Sequence, residues 1–84
     1  MIYIYAIFDK SCNEIYVGLT NDLERRLVEH KRGQSRYTKK FKNPVLFYKE
    51  EALDYKKARE REKYLKSGCG KEYLKTKLKK AGVV

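Results

Sequence analysis

The chain has 84 residues, which is enough for one small domain that buries about 60–65% of the surface of its unfolded chain. Charged residues make up 38% of it, and 21 lysines and arginines against 11 aspartates and glutamates give a formal charge of +10. The small core argues against a large interior active-site cavity, no apolar run approaches the ~18 residues of a membrane span, and the first partner class to expect is polyanionic, either nucleic acid or an anionic membrane surface.

The N-terminus and the cysteines indicate the compartment. The segment MIYIYAIFDK lacks the basic start and the small-residue cleavage site of a signal peptide, which predicts a soluble, cytoplasmic protein. Cys12 and Cys69 are the only cysteines, they have no CxxC spacing, and a single histidine accompanies them. We expect two reduced, incidental thiols rather than zinc ligands, with a disulfide between them as the alternative.

The first part of the chain predicts a β-hairpin followed by a helix. Residues 2–8 (IYIYAIF) and 14–18 (EIYVG) are rich in β-branched and aromatic side chains, and the polar segment DKSCN joins them. One of residues 20–22 (TND) is expected to cap the helix, which closes at Lys31 and Arg32. The glycine that follows is typical of a left-handed helix stop.

The rest of the chain predicts one more strand and two more helices. Residues 34–43 are basic and without period, which predicts an exposed loop, and a third strand, a candidate edge strand, follows at 45–50. A helix capped by Asp54 is expected to run to about Lys66, and a last helix from about 71 to 80. The order β-β-α-β-α-α predicts an α+β domain over residues 1–84, a small three-stranded antiparallel sheet flanked by helices.

The first predicted helix carries two polar residues beside its apolar stripe. At about 100° per residue, Leu23 and Leu27 share one side, and Arg26 and His30 flank them within roughly 60°. A charged side chain beside a buried stripe needs a partner. These two residues are therefore candidates for a functional site.

Glu62 is the corresponding anomaly of the next helix. It falls inside an apolar arc of about 80° that also holds Ala58 and Leu65. A carboxylate there is partly shielded from water, which is costly without compensation. Two interpretations stay open: an i+4 ion pair with Lys66 at the edge of the face, or a polar cleft in which Glu62 meets Arg26 or a metal ion.

The tyrosines of the strands present a similar choice. Tyr3 and Tyr5 share one face of the first strand, and Tyr16 lies on the second. If the connection is centred near Ser11, Tyr5 and Tyr16 lie roughly opposite each other and form a cross-strand pair. Structural packing of aromatic rings is one interpretation of this pair, and a functional role is the other.

These tyrosines are part of a pattern that resembles the GIY-YIG nuclease family. The segments YIY at 3–5 and YVG at 16–18 correspond to the two tripeptides of the family. Tyr3 replaces the first glycine, and Val17 replaces isoleucine. Leu19 stands where some members of the family have a lysine. Some members also have an asparagine late in the sequence, and the later part of this chain has no counterpart of it.

The resemblance continues through the rest of the chain. Arg26 lies eight residues after the glycine of the second tripeptide, and His30 follows one helical turn later. Glu62 lies in an A-x-x-x-E-x-x-L-K context at 58–66. Five ordered elements are far more specific than one tripeptide, and the chain is also similar to the N-terminal nuclease domain of the excinuclease C subunit.

The resemblance implies the GIY-YIG fold and metal-dependent phosphodiester hydrolysis. Glu62 would bind the single divalent cation, Mg²⁺ or Mn²⁺, and Arg26 would stabilise charge on the phosphorus. Tyr16 would be the general base for the attacking water, Tyr5 would orient that water, and His30 would contact the phosphate or assist proton transfer. A fixed guanidinium and a metal together stabilise the charge that spreads over the phosphoryl oxygens in the transition state.

The resemblance also implies a nucleic-acid partner, DNA more than RNA, with branched or damaged DNA and DNA repair as the expected context. The sequence shows no source of site specificity, so we expect a protein partner to supply it. A basic loop is predicted to contact the nucleic-acid backbone through Arg36, Lys39, Lys40 and Lys42. The alternative function is a non-catalytic module that keeps the fold and the basic surface, and any one of these cations is also compatible with a solvated face.

Overall fold

A computed structural model describes residues 1–36 and 38–82 and shows a three-stranded antiparallel sheet of order β2-β1-β3 with helices on both faces. The elements are β1 (Ile2–Asp9), β2 (Glu14–Thr20), α1 (Leu23–Lys31), β3 (Val45–Ala52), α2 (Tyr55–Lys66) and α3 (Gly68–Lys80). This architecture confirms the predicted α+β fold. No helix in the described ranges is both long enough and apolar enough to cross a membrane.

The central strand β1 supplies the core on both sides of the sheet. Alternate residues of a strand point to opposite faces, so Ile4 and Ala6 pack towards α2 and α3, where they meet Leu65. Tyr5 and Ile7 pack towards α1 and the loop that follows it. All four of these β1 residues are fully buried. Tyr5 and Ile7, which share one face of β1, therefore lie inside the molecule and not on its surface.

The register of the hairpin differs from the predicted one. Tyr5 pairs with Gly18, and Tyr16 pairs with Ile7, because the connection is centred between residues 11 and 12. Tyr5 and Tyr16 are therefore diagonal neighbours on one face and not direct partners. The two rings still contact each other, because long aromatic side chains reach across a diagonal.

The predicted helix ends are largely confirmed. Asp22 is the N-cap of α1, and its side chain accepts a hydrogen bond from the backbone N–H of Arg25 at 3.1 Å. Gly33 adopts a φ of 72° after that helix, the left-handed conformation that glycine favours. Asp54 caps α2 by accepting from the backbone N–H of Lys57.

The start of α3 is a correction, because this helix begins at Gly68 and not near Lys71. Ser67 closes α2 and also caps α3, so the two helices follow each other without a loop. Gly70 permits the close approach: a Cβ at this position would lie 2.1 Å from the carbonyl oxygen of Tyr64 and 2.4 Å from the Cα of Leu65. Gly68 and Gly70, residues of low helix propensity, are therefore part of α3.

The segment 34–43 is also a correction, because it is only partly exposed; Tyr37 lies outside the described residues. Ser35, Thr38 and Phe41 are buried at intervals of three residues. The loop is fixed to the hairpin by Asp9, whose carboxylate accepts from the backbone N–H of Asn43 at 2.9 Å. Hydrogen bonds from the Ser11 hydroxyl and from the backbone N–H groups of Asn43 and Cys12 lower the pKa of Asp9 to about 2. Cys12 and Cys69 are both free thiols.

Candidate active site

Tyr5, Tyr16 and His30 form an aromatic cluster between the sheet and α1. The ring centroids of Tyr5 and Tyr16 are 6.2 Å apart, and the imidazole lies 5.6 Å from the first ring and 5.1 Å from the second. Leu23 and Leu27 pack against the same face of the sheet and hold α1 there. His30, in the last turn of this helix, is thereby directed at the tyrosines.

His30 is fully buried, and both of its ring nitrogens have protein partners. Nε2 lies 2.7 Å from the Tyr5 oxygen, and Nδ1 lies 2.5 Å from the Thr38 hydroxyl. Burial, and then the positive charge of Arg26, lower the pKa of His30 to about 4. The imidazole is therefore neutral at pH 7, and in this conformation its nitrogens are not available to a phosphate.

The direction of the hydrogen bonds follows from Tyr5. Burial, and then the neighbouring Tyr16, raise the pKa of the Tyr5 phenol far above its ordinary value, so this residue keeps its proton. We assign the Tyr5 hydroxyl as the donor to Nε2 of His30, which leaves the proton of the neutral ring on Nδ1 to donate to the Thr38 oxygen.

Arg26 lies at the exposed side of the cluster, with 25% of its side chain accessible. Nη1 donates to Glu29 at 2.8 Å, and Nη2 donates to the Ser35 hydroxyl at 3.3 Å. Burial opposes its charge, but the hydrogen bond to Glu29 and the interactions with the phenol groups of Tyr5 and Tyr16 raise the pKa of Arg26 above its ordinary value. The guanidinium is thus a fixed positive charge beside Tyr16.

Gly18 explains how two tyrosine rings fit over one strand. A Cβ at this position would lie 2.8 Å from a ring carbon of Tyr16 and 2.8 Å from the hydroxyl oxygen of Tyr5. Such distances are well inside van der Waals contact. The glycine of the second tripeptide therefore has a packing role: it leaves the space in which the two rings lie.

Glu62 lies on α2, near β2, the strand that carries Tyr16 and Gly18, and it is not paired with Arg26. Its Oε2 is 3.3 Å from Nζ of Lys66, and a quarter of its side chain is exposed, so the i+4 pair left open by the sequence is present. No ion pair between Glu62 and Arg26 occurs in the ranges 1–36 and 38–82. Glu62 and Tyr16 nevertheless line one open groove of roughly 1080 Å³ along β2.

Glu62 is the carboxylate that the candidate site offers to a metal, beside Tyr16 in the groove. Within the described part of the chain, no three His, Cys, Asp or Glu side chains are grouped so that they could enclose an ion. Mg²⁺ is commonly held by one or two carboxylates together with substrate phosphates and water. The partly exposed Glu62 fits that mode, in which the substrate completes the ligand set.

The four residues predicted to contact nucleic acid lie on the loop 34–43, which packs against His30 through Thr38. Arg36, Lys39 and Lys42 are exposed to solvent. Lys40 differs, because its Nζ lies 2.8 Å from Glu14 at the start of β2 and this ion pair ties the loop to the hairpin. All four cations are thus exposed, Lys40 within an ion pair, while buried neighbours anchor the loop.

Sequence reasoning missed three residues that complete the cluster: Ser35, Thr38 and Glu29. The first two bind Arg26 and His30 from a segment that reads as an unstructured loop. Their signal in the sequence is the three-residue interval that they share with Phe41. Glu29 could have been found directly, because an acid three residues after Arg26 faces it on a helix.

Residues 1–78 match the family described as the GIY-YIG catalytic domain. A similar protein is UPF0213 protein ORF82 of Orgyia pseudotsugata multicapsid polyhedrosis virus, which is 38% identical over 82 residues, or 95% of this chain and 78% of that protein. No solved structure shows significant similarity to the chain. The family match spans both strands of the hairpin, the Arg26–His30 helix and Glu62, and the chain belongs to the GIY-YIG nuclease family.

Proposed function

We propose that the protein is a metal-dependent endonuclease that hydrolyses phosphodiester bonds in DNA. The observation that carries this proposal is the convergence of Tyr5, Tyr16, Arg26 and His30 in one cluster, beside a groove that Tyr16 shares with Glu62. A protein that only binds a phosphate backbone needs cations but has no use for a carboxylate beside them. Family membership supports nucleic acid as the ligand.

Each residue has a role that its surroundings support. Arg26 binds the non-bridging phosphate oxygens, and its fixed charge favours the transition state over the ground state. Tyr16 lies beside the guanidinium and is partly exposed. As the phenolate it takes the proton of the attacking water, while the water oxygen bonds to phosphorus and the P–O bond to the leaving oxygen breaks. Tyr5 is fully buried and protonated, so it positions Tyr16 and His30 rather than contacting the substrate.

Glu62 would hold the divalent cation, Mg²⁺ or Mn²⁺. When bound, this ion would stabilise the negative charge of the phosphate and of the leaving oxygen. Lys66 keeps the carboxylate directed into the groove without enclosing it, because the lysine itself is half exposed.

We further propose that a protein partner supplies site specificity and that branched or damaged DNA is the preferred substrate. The protein would then act in the cytoplasm in DNA repair.

The test is the nicking of supercoiled plasmid and of a labelled branched DNA with Mg²⁺, with Mn²⁺ or with EDTA. The variants are Glu62→Gln and Arg26→Ala, each with a matched control on the same helix or its neighbour. Arg25→Ala removes an exposed arginine that pairs with the same Glu29, and Glu72→Gln removes an exposed carboxylate of α3. All four are compared with wild type at equal concentration.

Cleavage that requires metal, falls by about 10²–10³-fold in both site variants and stays near wild type in both controls is the expected result. Equal losses in Arg26→Ala and Arg25→Ala would contradict the proposed site. Equal cleavage in EDTA would contradict the metal requirement.

A non-catalytic binding module is the second candidate, and one observation favours it. Both candidate catalytic charges have internal partners, Arg26 with Glu29 and Glu62 with Lys66. In the nicking assay, this function predicts no cleavage by any variant under any metal. It also predicts salt-sensitive binding that is the same in wild type, Glu62→Gln and its control.

A further inference from the structure

The groove shared by Tyr16 and Glu62 has a basic rim that the candidate catalytic residues do not use. It lies between β2 and the face formed by α2 and α3, and its floor includes the buried side chains of Leu65, Leu74 and Leu78. Its rim carries four lysines, and we call this surface the lysine groove: Lys66, Lys71, Lys75 and Lys79.

Three of these lysines form a regular row along α3. Lys71, Lys75 and Lys79 are spaced by four residues, so they lie on one face at intervals of about 6 Å. All three are exposed. Like charges at i and i+4 destabilise a helix slightly, so helix stability does not explain the row.

The acidic residues near the row do not neutralise it. Of the two acids that line the groove, Glu14 pairs with Lys40 at 2.8 Å and Glu62 pairs with Lys66 at 3.3 Å. Lys75 has a 3.5 Å contact with Glu72, in which both side chains are more than 60% exposed, and such a pair is weak. Within residues 1–36 and 38–82, no strong ion pair compensates the row, so it forms a positive rim of the groove that Tyr16 and Glu62 also line.

We infer that the lysine groove binds a single strand of nucleic acid, whose backbone runs along the row of lysines to the candidate active site. This inference rests on the proposed function for the direction of the strand, but not for binding itself. Phosphates of a strand are regularly spaced anions, and exposed lysines beside a concave surface are their usual partners.

The shape of the groove favours one strand over a duplex. The shortest extent of the Cα framework is 19 Å, comparable to the width of a DNA duplex, so a duplex is too wide to enter a groove that occupies only the space between β2 and the helices α2 and α3. An unpaired strand can enter it, place its phosphates on the lysines and turn its bases towards the aliphatic lysine stems. The expected substrate therefore has an unpaired segment next to the cleaved bond.

The test compares two triple variants with the same loss of charge. The groove variant is Lys71→Gln/Lys75→Gln/Lys79→Gln, and glutamine keeps a good helix propensity. The control is Lys56→Gln/Lys57→Gln/Lys63→Gln, three exposed lysines of α2 that do not line the groove. Binding of a labelled single strand of about 12 nucleotides, within the usual site size, is measured by fluorescence anisotropy in EDTA at several salt concentrations.

Loss of three phosphate contacts lowers the log–log salt slope of single-strand binding by about 2, which corresponds to about 100-fold weaker binding at 0.1 M salt. We expect this loss in the groove variant and a much smaller loss in the control, with unchanged unfolding midpoints in both. Equal losses in the two variants would overturn the inference, because net charge alone would then explain binding. A duplex of the same length that binds wild type more tightly and shows the same groove effect would overturn the choice of a single strand.

The result separates this inference from the proposed function, because binding in EDTA requires no cleavage. A groove effect without any metal-dependent nicking would support the lysine groove and contradict the nuclease. Nicking that is lost in Glu62→Gln, together with binding that is unchanged in the groove variant, would support the nuclease and contradict the groove.

Discussion

His30 shows how burial turns a residue that is ordinarily a pH switch into a fixed structural group. Its ring is fully buried between Tyr5 and Thr38, and the consequent loss of hydration is the first cause of its lowered pKa. The nearby Arg26 acts in the same direction. A neutral imidazole can accept from one neighbour and donate to the other, whereas an imidazolium would have two donors and one of them would face the Tyr5 proton.

The pH dependence of stability follows from this shift. The pKa of His30 falls from about 6.5 in the unfolded chain to about 4 in the folded protein, so the unfolded state binds the proton first. The contribution of the neutral His30 ring to stability is fully present above pH 6.5. It is lost as the pH falls towards 4, by an amount on the order of 2–3 kcal/mol. Urea unfolding at pH 7 and at pH 4.5 measures most of this loss.

The chain has one histidine, so its ring signals in NMR report the pKa directly. A titration midpoint near 6.5 would contradict the buried, neutral ring. Carboxylates contribute separately and at lower pH: the pKa of Asp9 is about 2, and that of Glu50 is also below its ordinary value. Loss of stability between pH 6.5 and 4.5 is therefore assigned to His30.

The sequence could predict the directions of Tyr5, Tyr16, Arg26 and His30, because each lies on a regular strand or helix whose period fixes its direction. The resemblance to the family then joined them into one group. Thr38 and Ser35 could not be predicted in this way. They lie in a segment without a helical or strand period, and the contacts that bury them come from α1 and the sheet. Long-range packing, not local propensity, decides their positions.

At the scale of elements, the junction of α2 and α3 depends on two glycines with different surroundings. A Cβ on Gly70 would collide with backbone atoms of Tyr64 and Leu65, whereas a Cβ on Gly68 would meet nothing within 4 Å. Gly68 and Gly70 both lie in the first turn of α3. They therefore form a matched pair for the effect of space alone.

Gly70→Ala is predicted to destabilise the fold by about 3 kcal/mol, the upper end of the overpacking range, because the backbone of α2 must move. Gly68→Ala is predicted to be neutral or to stabilise by up to about 1 kcal/mol, since alanine favours the helix. Urea unfolding of the two variants measures both values. Similar midpoints for the two would show that α2 and α3 are not packed as closely as the structure has them.

The same junction shows where element prediction from sequence reaches its limit. Ser67-Gly68 has the composition of a helix stop, and α2 does end there. Nothing local indicates that a new helix starts at once, because glycine is a poor helix former. The close contact with Leu65 explains Gly70, and this contact exists only in the folded molecule.

At the scale of the whole molecule, excess positive charge has two consequences. The formal charge is +10, and in the part of the chain that the structure describes five of the acids are engaged in ion pairs. The remaining cations repel one another in the compact state, and this repulsion destabilises it. The same cations attract a polyanion, so a nucleic acid that binds only the folded protein stabilises it.

Salt should therefore change stability with opposite signs in the free protein and in its complex. Screening weakens the self-repulsion, so we expect the thermal midpoint of the free protein to rise as the salt concentration is increased. A single-stranded oligonucleotide at about 100 times its Kd should add about 2.7 kcal/mol, and this gain should disappear with salt because the affinity falls. Thermal unfolding with and without the oligonucleotide, at low and at moderate salt, measures both effects. A free protein that loses stability with salt would show that its ion pairs, and not its net charge, dominate the electrostatics of folding.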